Sequence, residues 1–169
     1  MLNGDVSAPP STDPTAAFRE RVRGTNICET TLLATDYLNH FNEIVMLLEM
    51  VPDMPELFEE ALAWRPKSYV EHFTGSHSPF SALAVELYPH VPARYREPFD
   101  TTIGQLNALI ERTVRIAADA LAKRDLRALR HRIAVSLDQM RRLIDIAAGI
   151  IHGADKALSQ DAIDSLIGR

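Results

Sequence analysis

Apolar residues recur along this chain at intervals of three and four, the spacing by which a helix buries one face. Leu33, Tyr37, Phe41, Ile44 and Leu48 form one such series and predict a helix over residues 28–51, ended by Pro52. Phe99, Ile103, Leu106, Ile110, Ala117 and Leu121 predict a second over 98–123. Leu126, Leu129, Ile133, Leu137, Met140, Ile144, Ala147 and Ile151 predict a third over 126–152, with a heptad-like alternation and Gly153 just past its end. The break near Arg124 and Asp125 is so short that the last two helices must fold back as an antiparallel hairpin, each arm about 40 Å long.

Between 52 and 98 the texture changes. Seven of the ten prolines lie there, separating short amphipathic pieces at 55–64, 66–73 and 79–88. Asp53 and Ser78 are candidate N-caps, with Pro55 and Pro79 in the turns that follow. A short helix is expected over 16–23, ended by Gly24. Residues 1–15, with Gly4, Pro9, Pro10 and Pro14 among Ser, Thr and Asp, are expected to be a disordered tail. No useful strand alternation occurs, so the predicted class is all-α: a helical bundle over 16–153 built on the hairpin 98–152. A hairpin cannot bury both faces of its own seam. Its cover is expected to be either the first long helix with the short pieces, or a second copy that completes a four-helix bundle across a homodimer.

Composition narrows the class further. With 169 residues, 46% hydrophobic and 24% charged, the chain has room for one domain of ordinary composition. Its longest apolar runs, such as Ile44–Leu48 and Ile146–Ile151, fall far short of the ~20 residues of a membrane span. Met1 to Thr15 lacks the basic start and apolar core of a signal peptide. Cys28 is the single cysteine, which excludes an intramolecular disulfide and any two-cysteine metal site. A cytoplasmic location without membrane association is expected. A net charge of −5 argues against general nucleic-acid binding. The local basic run Lys123, Arg124, Arg127, Arg130 and Arg132, with Arg141 and Arg142 beyond, can pair with carboxylates on its own helices or face an acidic partner.

After Gly153 come a hinge, Ala154-Asp155-Lys156, and a C-terminal segment over 154–169 with the pattern of a tethered amphipathic helix. Ser159 is its candidate N-cap, Asp161 falls in the first turn, and Ile163, Leu166 and Ile167 make one apolar stripe. The stretch Leu158-Ser159-Gln160-Asp161-Ala162-Ile163-Asp164-Ser165-Leu166-Ile167 resembles the segment, roughly Leu-Ser-Gln-x-Glu-Ile-Asp-x-Leu-Leu, with which FliM flagellar switch proteins capture phosphorylated CheY. It is similar too to the C-terminal helix of the CheZ phosphatases, which follows a dimerising helical hairpin. Ala162 replaces the usual acid and Ile167 is a mild departure. The resemblance covers about ten residues. It implies a cytoplasmic chemotaxis-type protein docking a CheY-like response regulator through Leu158, Ser159, Gln160, Asp161, Ile163, Asp164, Leu166 and Ile167. The alternative is a non-enzymatic helical adaptor or scaffold whose last helix belongs to its own core.

Phosphatases of receiver domains resemble one another in placing an acid and an amide about one helical turn apart. The amide orients the attacking water and the acid pairs with a receiver lysine, so positioning carries the catalysis. The Asp-x-x-x-Gln of CheZ occurs nowhere here: Asp138 and Gln139 are adjacent, and Asp100 and Gln105 are five apart. Asp36 and Asn39 stand at i and i+3, the spacing of the Glu-x-x-Asn of the CheC and CheX phosphatases, and are the candidate catalytic pair. With His40 and Glu43 they are expected to share a face opposite the apolar stripe, which is equally the pattern of a solvated helix surface. No cofactor is expected in the protein itself, and the resemblance implies Mg2+ on the receiver. The single His40-x-x-Glu43, even with His131 and His152 elsewhere, reverses the Glu-x-x-His order of di-iron bundles, and no metal is assigned. His72, His77 and His90 suit loops or caps. Trp64, Tyr69 and Phe73 are expected in the core.

Overall fold

The computed structural model describes residues 15–154. Its helices are α1 (Ala16–Val22), α2 (Asn39–Met50), α3 (Phe58–Ala63), α4 (Tyr69–Thr74), α5 (Ser81–Leu87), α6 (Ala93–Ala122) and α7 (Leu126–Ile151), with 3-10 turns at Thr35–Leu38, Pro55–Leu57 and Tyr88–His90. Among the described residues the only β pairing is an isolated bridge between Ile27 and Ala34. The fold is all-α.

The hairpin of α6 and α7 is the frame. At 30 and 26 residues its arms are about 45 and 39 Å long. The turn between them is made by Arg124, which takes a left-handed conformation with φ +55°. Asp125 then caps α7, its Oδ1 accepting from the amide of Ala128 at 2.9 Å. Leu106, Ile110 and Ala117 of α6 and Leu129, Ile133 and Met140 of α7 are among the buried residues of the seam. α2 lies against α7, α3 against α2, and α4 against both α5 and the Thr35–Leu38 turn. One chain thus covers one side of its own seam.

Four boundaries differ from the sequence pattern. α6 starts five residues before Pro98 and runs through it. Pro92 accepts the amides of Tyr95 and Arg96 as the true N-cap, and the buried Tyr95 and Phe99 hold the helix on either side of the proline. The expected helix 28–51 begins only at Asn39. Upstream, the Leu32 amide donates to Cys28 O at 2.8 Å and the Cys28 amide to Leu33 O at 2.9 Å, closing a tight loop with Leu32 at φ +63°. Leu32 and Leu33 are completely buried, so the stripe that looked helical is continued inward by a loop. In the middle region, neither Asp53 nor Ser78 caps a helix: Met54 and Phe80 occupy the N-cap positions. Among the described residues a reciprocal cap forms at α4, where Ser68 Oγ accepts from the Glu71 amide at 3.1 Å and the Glu71 carboxylate accepts from the Ser68 amide at 2.7 Å.

Candidate functional site

Asp36 lies in the 3-10 turn and Asn39 is the first residue of α2, so the pair straddles a junction between helix types. The Asp36 carboxylate, half-buried, accepts a hydrogen bond from the Asn26 amide group, and the Asp36 main-chain carbonyl accepts from the Asn39 amide. The Asn39 side chain is exposed. His72 reaches the Asp36 backbone, and burial lowers its pKa, helped by the charge of Lys67.

The expected four-residue polar face does not form. Glu43 is exposed with Asn39, but His40 turns inward and is buried. Its ring stacks on Trp64, with centroids 4.8 Å apart and an angle of 20°. His40 Nε2 lies 3.0 Å from the Arg65 carbonyl, and Trp64 Nε1 donates back to the His40 carbonyl at 3.2 Å. Desolvation holds this imidazole below its ordinary pKa. His40 therefore locks α3 and the segment after it onto α2. Tyr69 and Phe73 are core residues, as expected.

Three clefts flank α6, one of them, about 320 Å³, between Ile110, Glu111 and Val114 and the segment 61–66, and two bear on the site. One, of about 360 Å³, runs between the segment 66–71 and the α6 residues Asp100, Gly104 and Asn107. Two of its phenols are paired, Tyr88 donating to Asp100 Oδ1 at 2.5 Å and Tyr37 to the Lys67 carbonyl at 2.6 Å, whereas Asn107 Oδ1 is buried without a partner among the described residues. Burial raises the pKa of both phenols, with Asp100 adding to it. The other, about 410 Å³, is a groove lined entirely by the hairpin: Gln105, Ala108, Leu109, Arg112 and Arg115 of α6, and Gln139, Arg142 and Leu143 of α7. Three guanidinium groups border it and no carboxylate does. Sequence reasoning missed this groove; the signal was a row of Gln105, Arg112 and Arg115 at steps of seven and three beside Leu109.

The basic run divides. Lys123 pairs with Asp119, Arg130 with Asp53, Arg141 with Glu49 and Arg142 with Asp138, all at 2.8–2.9 Å and well exposed. Arg124, Arg127 and Arg132 are exposed near the hairpin tip. Among the described residues no three His, Cys, Asp or Glu side chains gather as a metal site, and no helix is long and apolar enough to cross a membrane. The sequence-predicted docking residues Leu158–Ile167 lie outside the described residues. No protein-family model, curated protein or solved structure matches the chain.

Proposed function

We infer that the protein is a chemotaxis-type signalling component that captures a CheY-like response regulator through Leu158–Ile167. The observation that carries this reading is the order of parts. A long hairpin ends at Ile151, Gly153 breaks the helix at φ +82°, and a receiver-binding type of sequence follows within a few residues. A short amphipathic helix on a tether binds by laying its apolar stripe, Ile163, Leu166 and Ile167, into a groove on its partner. In the same reading Asp36 and Asn39 are the acid and the water-orienting amide that promote dephosphorylation, with Mg2+ supplied by the receiver.

The test is a titration of phosphorylated and unphosphorylated CheY-type receivers against the full chain and against Ile163→Glu/Leu166→Glu. Binding that requires the phosphoryl group and is lost in the variant is the expected result. Equal binding by both chains, or none by either, overturns the reading.

A further inference from the structure

The groove on the hairpin face away from α2 is built for an acidic amphipathic helix. Its floor is apolar, made by Ala108 with Leu109 and Leu143, each of the leucines only 6% exposed. Its rim is cationic, made by Arg112, Arg115 and Arg142. Arg142 has an exposed pairing with Asp138; Arg112 and Arg115 have no carboxylate partner among the described residues. Gln105 Oε1 is buried without a hydrogen-bond partner among those residues, so an occupant that brings a donor would satisfy it. A second copy is a poor occupant, because a two-fold contact through this face sets the same three arginines against each other.

The chain itself carries a segment with the complementary chemistry. Residues 155–169 hold Asp155, Asp161 and Asp164 against Lys156 and Arg169, with Ile163, Leu166 and Ile167 on one helical stripe. Reach is sufficient: Leu143 lies ten residues before Gly153, about 15 Å of helix, whereas the nine residues from Ala154 to Ala162 span up to about 30 Å when extended. We propose that Ser159–Ile167 docks back into this groove, its stripe on Leu109 and Leu143 and Asp164, which flanks the stripe, toward the rim of Arg112, Arg115 and Arg142, so that receiver capture competes with self-docking. The competition, though not the docking, rests on the receiver-binding reading above. A tail docked two-thirds of the time weakens apparent receiver affinity about threefold, since only the released fraction binds.

The experiment uses the full chain in a Cys28→Ser background with a nitroxide on Ser165→Cys, read by broadening of backbone amide signals. Selective broadening of 105–115 and 139–143, unchanged on dilution, is expected. It should vanish in Arg112→Glu/Arg142→Glu and return when Asp161→Lys/Asp164→Lys is added. Absent broadening, broadening indifferent to the charge reversal, or broadening that fades on dilution as for a second copy each overturns self-docking. Unlabelled Arg112→Glu/Arg142→Glu should also bind the phosphorylated receiver about threefold more tightly than the parent chain, and equal affinity overturns the competition. Groove broadening with no receiver binding by any version sinks the receiver reading alone. Receiver binding without broadening sinks self-docking alone.

Discussion

Thr31 donates its hydroxyl hydrogen to the carbonyl of Ile151 at 2.5 Å, joining positions 120 residues apart. Ile151 ends α7, and its carbonyl is one of those a helix terminus leaves without an intrahelical partner. The same Thr31 oxygen accepts from the Leu33 amide at 3.3 Å, so one buried hydroxyl ties the 28–34 loop to the end of the hairpin. Thr31→Val keeps the shape and removes both bonds. The expected cost is about 1–3 kcal/mol, the usual penalty for stranding buried partners, read as a lower urea midpoint. An unchanged midpoint would show that the loop is not fastened here.

Two glycines should respond to alanine with opposite signs. Gly153 has φ +82°, and an added Cβ would stand 3.3 Å from Thr30 Cγ2. Gly153→Ala is expected to lose about 1–2 kcal/mol from the left-handed backbone alone. Gly104 is an exposed helical position of α6 where an added Cβ meets nothing within 4 Å. Gly104→Ala should gain about 0.5–1 kcal/mol. Thermal unfolding of the two variants beside the parent checks both, and a shift in the same direction contradicts the local geometry of one of them.

The hairpin was legible because its signals agree. In α7 an uninterrupted apolar series runs between a capping aspartate and a glycine, and the helix occupies Leu126–Ile151 against an expected 126–152. Where one residue sent a local signal that tertiary packing overrode, the reading failed. Pro98 looks like a start, yet the buried Tyr95 upstream extends α6 past it. Leu33 and Tyr37 are in helical phase with Phe41, but phase does not distinguish a helix from a buried loop that points its leucines inward. Ser68 and Glu71 carry the Ser-x-x-Glu spacing of a capping box and mark the start of α4 more sharply than Pro66 does. For the candidate site, Asp36 and Asn39 were readable as a spacing, but the pairing of Asp36 with Asn26 was not. The groove was hidden for a simpler reason: it exists only once two helices are set in register, and each alone reads as a charged face.

His40 makes stability depend on pH with a defined sign. Its imidazole is 6% exposed, stacked on Trp64 and bonded to the Arg65 carbonyl, and Lys67, His72 and Glu43 are the charged or titratable groups around it. Burial lowers its folded pKa below the unfolded value of about 6.5. Well above pH 6.5 both states are neutral at this group and its contribution is constant. As pH falls below that value the unfolded chain takes up a proton the folded one refuses, so stability declines. His72 acts in the same direction. Urea midpoints between pH 7 and 5, followed by the fluorescence of Trp64, should therefore fall with pH. His40→Gln, which still offers the Arg65 carbonyl a donor, should flatten the slope without abolishing it. An undiminished slope would assign the effect elsewhere.

Asn39 offers the sharpest separation of chemistry from folding. It is exposed at the start of α2, and the contact that fixes it in the turn is made by its main-chain amide to Asp36, which alanine retains. Asn39→Ala should leave the unfolding midpoint unchanged. If the amide orients the attacking water on a phosphorylated receiver, its loss should lower the turnover of dephosphorylation by about 10- to 100-fold, the scale of a misplaced reactant, with little change in receiver affinity. Asp36→Asn keeps an oxygen for the Asn26 amide but removes the charge, so it should weaken receiver affinity more than turnover. Single-turnover decay of phosphorylated receiver across a range of concentrations separates the two effects. A full rate in Asn39→Ala would show that this amide does not orient the attacking water, and would leave Asp36 with only its bond to Asn26 to account for it.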